Sequence, residues 1–538
     1  MPEQRPGMSD AGYTILENIL YFCKYRVTNH LHIMLRKIRV GLALLFIVGI
    51  TLLFLDFTGT VHAWLGWMAK IQFLPAVLAL NVAVVLALVA FTLLFGRVYC
   101  SVICPLGVFQ DIISRLRGRK GKLRYRFGYS PAMNWLRYGV LALFIVALVA
   151  GLTSFAALVA PYSAYGRMVQ SLLSPVYAGV NNVLAYLADR ADSYMFYATD
   201  IWIRSAWTFG VAVVTLVVIA ILALRNGRTY CNTVCPVGTV LGFLSRFSLF
   251  KPVIDQSKCN ACGLCAKGCK ASCIDSKNHS IDYSRCVSCF DCIDNCRHGA
   301  ISYVMRGRVS GAVSDNKNGV KPRPGEAKPA SGRREFLASG LALTAAAVAG
   351  AQGKTVDGGL AVILDKKIPK RHTPIVPPGA RGVRHLRQHC TGCQLCVAAC
   401  PNGVLRPSDG LDCMLQPEAS YERGYCRPEC TKCSEVCPAG AIHRISVEDK
   451  SSIQVGHAVW VKENCVPLTD GVSCGNCARH CPAGAITMVP SEASNPDSLK
   501  IPVVNDERCI GCGACENLCP ARPFSAIYVE GHQIHRII

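Results

Sequence analysis

Twenty-four of the chain's 31 cysteines fall into six runs of four, and that spacing constrains the fold more than any other feature. Cys390, Cys393, Cys396 and Cys400-Pro401 follow C-x2-C-x2-C-x3-C-P, as do Cys509, Cys512, Cys515 and Cys519-Pro520. Two further runs match with a displaced first ligand: Cys426, Cys430, Cys433, Cys437-Pro438, and Cys465, Cys474, Cys477, Cys481-Pro482. The remaining pair, Cys259, Cys262, Cys265, Cys269 and Cys286, Cys289, Cys292, Cys296, carries Lys270 and Arg297 in place of the prolines. A spare Cys273 beside that pair is an alternative ligand to Cys269. Three thiolates on a tight loop reach three corners of one cube, while the fourth, leading into a helix, points to another. The runs therefore predict six [4Fe–4S] clusters ligated by these cysteines. Disulfide-rich secreted domains are usually short, and tight runs of four read as metal ligation. Structural zinc is the bland alternative, disfavoured by six consecutive C-x2-C-x3-C matches. In the last four runs a nested exchange is expected, with Cys519 and Cys400 swapped between the outer runs and Cys481 and Cys437 between the inner ones; exchange between sequential neighbours is the alternative, and the motif alone does not separate the two. Cys23 and Cys413 stand apart and read as incidental thiols.

The mean hydropathy is positive, and the apolar residues are concentrated early. Four stretches, Val40–Phe57, Ile71–Phe95, Tyr138–Ala160 and Ala206–Leu224, contain no Lys or Arg. Each is close to the ~20 residues that cross a bilayer, so four spans are expected. Asn81, within the second, reads as an interhelical hydrogen-bond donor rather than a quinone ligand. The net charge of +23 is not a nucleic-acid footprint, because much of it flanks the apolar stretches and no aromatic–basic interleaving accompanies it. Arg36, Lys37 and Arg39 precede the first span. Arg97, Arg115, Arg117, Arg119, Lys120, Lys122, Arg124 and Arg126 follow the second, against the single acid Asp111. Positive loops stay inside, which places the N-terminus and this loop in the cytoplasm of a multi-pass bacterial inner-membrane protein. Trp64 and Trp67 then lie at the outer interface.

A second cysteine pattern sits at the cytoplasmic ends of two spans. Gly96-Arg97-Val98-Tyr99-Cys100 runs on to Cys104-Pro105-Leu106-Gly107, and 131 residues later Gly227-Arg228-Thr229-Tyr230-Cys231 runs on to Cys235-Pro236-Val237-Gly238. The pattern G-R-x-Y-C-x3-C-P-x-G repeats a two-span unit, so a bundle with pseudo-twofold symmetry is expected. Cys100, Cys104, Cys231 and Cys235 fall at i and i+4, on one face if helical. They can ligate a metal, form a redox disulfide or pack at a helix end; the duplication and the position beside a ferredoxin segment favour a redox or metal role.

The fold class is thus multi-domain: an α-helical membrane bundle with four spans and a duplicated two-span unit, plus α+β ferredoxin-like [4Fe–4S] domains. The boundaries expected are a membrane domain over 1–250, a cytoplasmic two-cluster segment over 251–305, a Gly/Pro/Lys/Ser-rich linker over 306–332, a signal or anchor over 333–352 and an extracytoplasmic four-cluster domain over 353–538. Arg333-Arg334-Glu335-Phe336-Leu337 before an Ala-rich run and Ala347-Val348-Ala349 looks like a twin-arginine export signal. It departs from the usual pattern at Gly332 and Ala338 and in being internal.

On these residues the first ~305 positions resemble the NapH (MauN) membrane quinol dehydrogenase component, with its spans, two C-x3-C-P motifs and trailing ferredoxin segment. Residues 333–538 resemble the NapG (MauM) ferredoxin. The resemblance implies a fusion that takes electrons from the membrane quinone pool, with quinol as donor, and delivers them to an extracytoplasmic reductase of the nitrate-reductase kind, or to its cytochrome. The C-x3-C-P bundle also resembles the NosR and CcoG groups, which implies the alternative of a redox maturation factor for a copper or other metalloenzyme. The chain has no Rossmann fingerprint, P-loop or C-x-x-C-H site. It reads as a quinol dehydrogenase or electron-transfer component without a substrate site of its own, with the chemistry carried by cofactors.

Overall fold

The computed structural model describes residues 34–56, 59–117, 127–193, 195–199, 201–306, 355–356, 361–362 and 364–538. The twin-arginine segment, most of the linker, Cys23 and the basic stretch 118–126 lie outside the described residues.

The apolar part builds, in order, α1 (Met34–Leu55), α2 (Thr60–Leu65), α3 (Trp67–Lys70), α4 (Phe73–Leu78), α5 (Val82–Phe95), α6 (Val98–Val102) and α7 (Pro105–Arg117). There follow α8 (Asn134–Val149), α9 (Thr153–Val159), α10 (Pro161–Met168), α11 (Ser174–Arg190), α12 (Ala206–Asn226), α13 (Thr229–Thr233) and α14 (Pro236–Leu244). Only α1 and α12, of 22 and 21 residues, are by themselves long and apolar enough to cross a membrane among the described residues. The other two apolar stretches are interrupted. Ile71–Phe95 breaks at Leu80, whose φ is 52°, and Asn81 caps α5 by accepting from the Val84 amide at 3.3 Å. Asn81 is therefore a helix cap and not the interhelical donor expected, because the first turn of α5 leaves amides that need an acceptor. Tyr138–Ala160 breaks at Gly151, between α8 and α9.

The two ferredoxin regions hold opposite ends of the bundle. Residues 250–306 form a small unit closed by the antiparallel pair Phe250–Ile254 and Ile301–Met305. It meets the start of α1 through Arg36–Asp291 (3.2 Å), the end of α5 through Ser288 Oγ to the Phe95 carbonyl (3.1 Å), and the start of α8 through Arg137 to Ser284 Oγ (3.0 Å). At the end of α12 the Arg228 amide donates to the Lys270 carbonyl (2.8 Å). The C-terminal region, built on the pairs Ile453–Trp460 with Ile527–Ile537, Ile486–Pro490 with Lys500–Val504 and Leu405–Pro407 with Pro417–Ala419, meets the other ends. There Gln416 donates to Thr153 Oγ1 (2.7 Å), and Ser205, the cap of α12, donates to Asp409 (2.5 Å).

Short helices fold back between the long ones. The segment α2–α4 enters from the C-terminal side, and α6 enters from the other. They meet where the Tyr99 hydroxyl accepts from the Phe73 amide (3.0 Å) and donates to Gln72 (3.1 Å). This contact carries the thiols of α6 into the interior.

Candidate metal–sulfur centres

Each intact C-x2-C-x2-C loop curls in the same way. The residues on either side of the second cysteine take left-handed φ: Ala261 and Gly263, Ser288 and Phe290, Gly392 and Gln394, Gly511 and Gly513. For non-glycine residues this costs ~1–2 kcal/mol each, and such conformations persist where the surroundings over-determine them. The curl turns the three thiols inward and leaves amides pointing at sulfur. Gly392 donates to Cys390 Sγ at 3.4 Å, and Ala300, Ala485 and Ala526 donate to Cys296, Cys481 and Cys519 at 3.3 Å. All-sulfur donor sets, with amides ready to stabilise the thiolate, fit a [4Fe–4S] cluster. Among the described residues no three Cys, His, Asp or Glu side chains close on a single ion.

Electrostatic contacts reveal which fourth cysteine joins each loop. Burial pushes the thiols of Cys390, Cys393 and Cys396 up, and proximity to Cys437 pushes each further. Burial raises Cys426 and Cys433 likewise, with Cys400 adding to it. Cys519 adds to the burial of Cys465 and Cys477, and Cys481 to that of Cys509, Cys512 and Cys515. In the first unit Cys296 stands with Cys259, Cys262 and Cys265, and Cys269 with Cys286, Cys289 and Cys292. The exchange is thus between sequential neighbours in all three units, and the nested exchange expected for the C-terminal domain is incorrect. Its reason is local: each pair of runs closes its own unit before the next begins. The last two units then abut through the Cys426 amide and Cys512 carbonyl, 2.9 Å apart. Cys400, Cys426, Cys430 and Cys433 line one cavity of about 50 Å³. Cys273 Sγ lies 3.5 Å from Cys269 Sγ, so both candidates stand at one corner. Cys413 faces Ser408 Oγ at 3.1 Å, apart from every set.

A mass-spectrometric alkylation experiment checks this exchange. Cys437→Ser should expose Cys390, Cys393 and Cys396 to reagent while Cys426, Cys430 and Cys433 stay protected; Cys400→Ser should do the reverse. Exposure of a variant's own run instead would contradict the pairing.

The duplicated motif forms a separate centre. Gly96 and Gly227 turn the chain sharply with φ of 76° and 71°, which only glycine adopts readily with the accompanying ψ. The two arginines then cross. Arg97 Nη2 donates to the Cys231 carbonyl (3.2 Å) and Arg228 Nη1 to the Cys100 carbonyl (2.5 Å), each reaching the other repeat. The prolines begin α7 and α14, and a Cβ on Gly107 or Gly238 would lie 2.2 or 2.3 Å from the carbonyl of Cys100 or Cys231. The two cysteines of a repeat do not share one helix face as expected. Cys100 and Cys231 lie on α6 and α13, whereas Cys104 and Cys235 sit at the corner before the next helix. The result is four thiols, each at most 4% exposed, around a pseudo-twofold. Gln110 donates to Cys231 Sγ (3.2 Å) and the Gly238 amide to Cys235 Sγ (3.3 Å).

This tetrad lies between the two ferredoxin regions. Toward one, Asn232 donates to the Ala271 carbonyl (3.2 Å), inside the Cys269–Cys273 loop. Toward the other, the Tyr230 hydroxyl donates to the Val159 carbonyl (2.5 Å), and α10, which follows, is so close to the Cys390 loop that a Cβ on Gly166 would lie 2.5 Å from the Cys393 carbonyl. One carboxylate breaks the symmetry. Asp111 takes Arg228 (2.8 Å), Lys270 (3.2 Å) and Arg39 (3.4 Å), while Gly242 holds the equivalent place in the second repeat. Arg97 there uses Asn232 (2.9 Å) and the Ser284 carbonyl (3.0 Å) instead. The repeated arginines were visible in the motif, but their crossing and the role of Asp111 were not.

A family described as a 4Fe-4S binding domain matches residues 77–124 and 207–254, the two repeats of this motif. A second 4Fe-4S binding domain matches 387–406, and a 4Fe-4S dicluster domain matches 472–522. The ferredoxin-type protein NapG of Escherichia coli is 30% identical over 202 residues, which is 36% of this chain and 83% of that one. The chain belongs to the NapG/MauM ferredoxin-type family. The methylamine utilization ferredoxin-type protein MauM of Methylorubrum extorquens is 32% identical over 201 residues, 36% of this chain and 87% of its own. The ferredoxin-type protein NapF of Escherichia coli is 26% identical over 178 residues, 33% and 99%. No solved structure matches. The polyferredoxin part of the resemblance is thereby established, and the chain is an iron–sulfur electron-transfer protein with [4Fe–4S] domains.

Proposed function

We propose that this chain is a membrane-embedded relay that takes electrons from quinol and delivers them to an extracytoplasmic reductase. One observation carries the reading: the buried tetrad Cys100, Cys104, Cys231 and Cys235 is wedged between the Cys269–Cys296 sets at one end of the bundle and the Cys390 set at the other. A helical bundle that only anchored a ferredoxin would have no use for four desolvated thiols between two ferredoxin units. Cys100, Cys104, Cys231 and Cys235 would hold a further iron–sulfur centre, with Arg97 and Arg228 beside them supplying charge that suits an anionic cluster. When loaded, these centres supply one-electron carriers; the chain's own contribution is their order, their burial and the amides aimed at their ligands.

In this reading α1 and α12 cross the bilayer alone, and α4 with α5 and α8 with α9 make the other two crossings. The membrane half is then NapH/MauN-like. The Arg-rich loop and residues 251–305 face the cytoplasm, and the C-terminal domain, exported under the Arg333-Arg334 signal, faces outward toward its acceptor. Anaerobic titration with a soluble quinol should bleach the cluster absorbance of the whole purified protein, with about 24 Fe in the six runs and about four more in the tetrad. Protein that holds this iron, reacts with dithionite and stays oxidised in quinol would sink the relay.

A further inference from the structure

Helix α10 is buried along its whole length, although Tyr162, Ser163, Tyr165 and Arg167 on it are polar. It runs between the two kinds of centre. On the tetrad side the Tyr230 hydroxyl donates to the Val159 carbonyl (2.5 Å), just before α10 begins. On the other side a Cβ on Gly166 would lie 2.5 Å from the Cys393 carbonyl. Residues at i and i+4 share a helix face, so the side that meets the Cys390 loop at Gly166 also carries Tyr162. The hydroxyl of Tyr162 is buried and has no hydrogen-bond partner among the described residues.

Arg167 is the unusual member of this helix. It is wholly buried, its Nη1 donates to the Ala157 carbonyl and its Nη2 to the Leu158 carbonyl (3.2 Å), and its Nε has no partner. Where Arg39 and Arg228 share Asp111, Arg167 has no carboxylate among the described residues. A guanidinium keeps its proton in proteins, and a buried charge without a partner is costly. The groups that feel its charge are Cys393 and Tyr230, the latter next in the chain to Cys231. Arg97 sets the precedent: it too is buried without a carboxylate, and its Nη2 lies 3.8 Å from Cys100 Sγ in the tetrad.

We infer that Arg167 is the counter-charge of the iron–sulfur centre that Cys390, Cys393, Cys396 and Cys437 would hold, raising its reduction potential so that electrons from the tetrad enter the C-terminal domain there. A cluster on four thiolates is an anion and becomes more negative on reduction, so a buried cation stabilises the reduced form most. In the step one electron leaves the tetrad's centre, which is oxidised, and enters this one, which is reduced; no bond breaks and no proton moves. The inference rests on the relay reading for the direction of that transfer, and not for the effect on potential. A purely structural role is the competing account, because Ala157 and Leu158 lie in the last turn of α9, whose carbonyls need donors.

The test is a mediator titration of the full-length, cluster-loaded protein in detergent, followed by electron paramagnetic resonance, with Cys390→Ala assigning the signal of this set. Arg167→Gln keeps a donor for the α9 carbonyls and removes the charge; Arg167→Lys keeps the charge. At a fixed ambient potential the reduced-to-oxidised ratio of this centre should fall at least tenfold in Arg167→Gln, about 59 mV for a one-electron couple. The other signals should stay within twofold, and Arg167→Lys should stay within threefold of the wild type throughout. An unchanged ratio in Arg167→Gln, or an equal fall in both variants, would overturn the counter-charge. If Arg167→Gln loses the iron of this set, Arg167→Lys decides: a retained cluster near the wild-type ratio supports the inference, whereas loss in both leaves Arg167 a helix cap and overturns it. Mediators and not quinol carry the electrons here, so the outcome is independent of the relay. Wild-type protein that quinol does not reduce would remove the direction of transfer and leave the counter-charge standing.

Discussion

Serine at Cys100 or at Cys231 will stop quinol from reducing the centres on the far side of the bundle, and the two variants will behave alike. The same holds for Cys104 and Cys235. The equivalence follows from the crossing of Arg97 and Arg228, which places corresponding atoms of the two repeats on one shared site. Each variant should retain about 24 of about 28 Fe, because the six ferredoxin runs keep their ligands and only the tetrad is opened. Dithionite should still reduce the remaining centres. Thiols that merely pack would give a different result: a serine costing ~1 kcal/mol, normal iron and wild-type turnover. Iron analysis with stopped-flow reduction by quinol separates the two, and normal transfer in all four variants would return the tetrad to a packing role.

Asp111→Asn should be the most destabilising single polar substitution in the helical bundle. Its carboxylate is the shared partner of Arg39, Arg228 and Lys270, and all four side chains are at most 5% exposed. Removing one member of a buried ion set leaves uncompensated charge and costs ~3–5 kcal/mol. Here three cations would be left with Asp291, which pairs with Lys270 at 2.8 Å. The damage should reach the tetrad, because Arg228 is positioned by Asp111 and in turn holds the Cys100 carbonyl. Asp255→Asn is the matched control. Its partner Lys258 is half exposed, and such pairs are worth ~0–1 kcal/mol. Detergent-solution unfolding should therefore separate the two variants clearly, with tetrad iron lost only from Asp111→Asn. Equal stability of the two would refute the account of Asp111 as the anchor of the repeat.

Much of the site was legible in the residues because much of it is local. Three thiols of a cluster set lie within a loop of a few residues, and the repeated G-R-x-Y-C-x3-C-P-x-G motif states its own duplication. Apolar stretches announce helices, although not where they break; Leu80 and Gly151 interrupt two of them through local φ values that hydropathy does not encode. The fourth ligands were not legible, since Cys400 and Cys437 carry the same local motif whichever neighbour they serve.

The number of thiol sets, the internal repeat and the presence of long apolar segments each depend on residues a few positions apart and are read directly from the chain. What those parts do together rests on contacts that form only on folding. Asp111 stands in the sequence as the lone acid of a basic loop, but folding brings it to Arg228 and Lys270, 117 and 159 residues away, and makes it the centre of a buried ion set. Such contacts depend on how whole elements pack, a property of the summed burial of many side chains that no short pattern in the chain records.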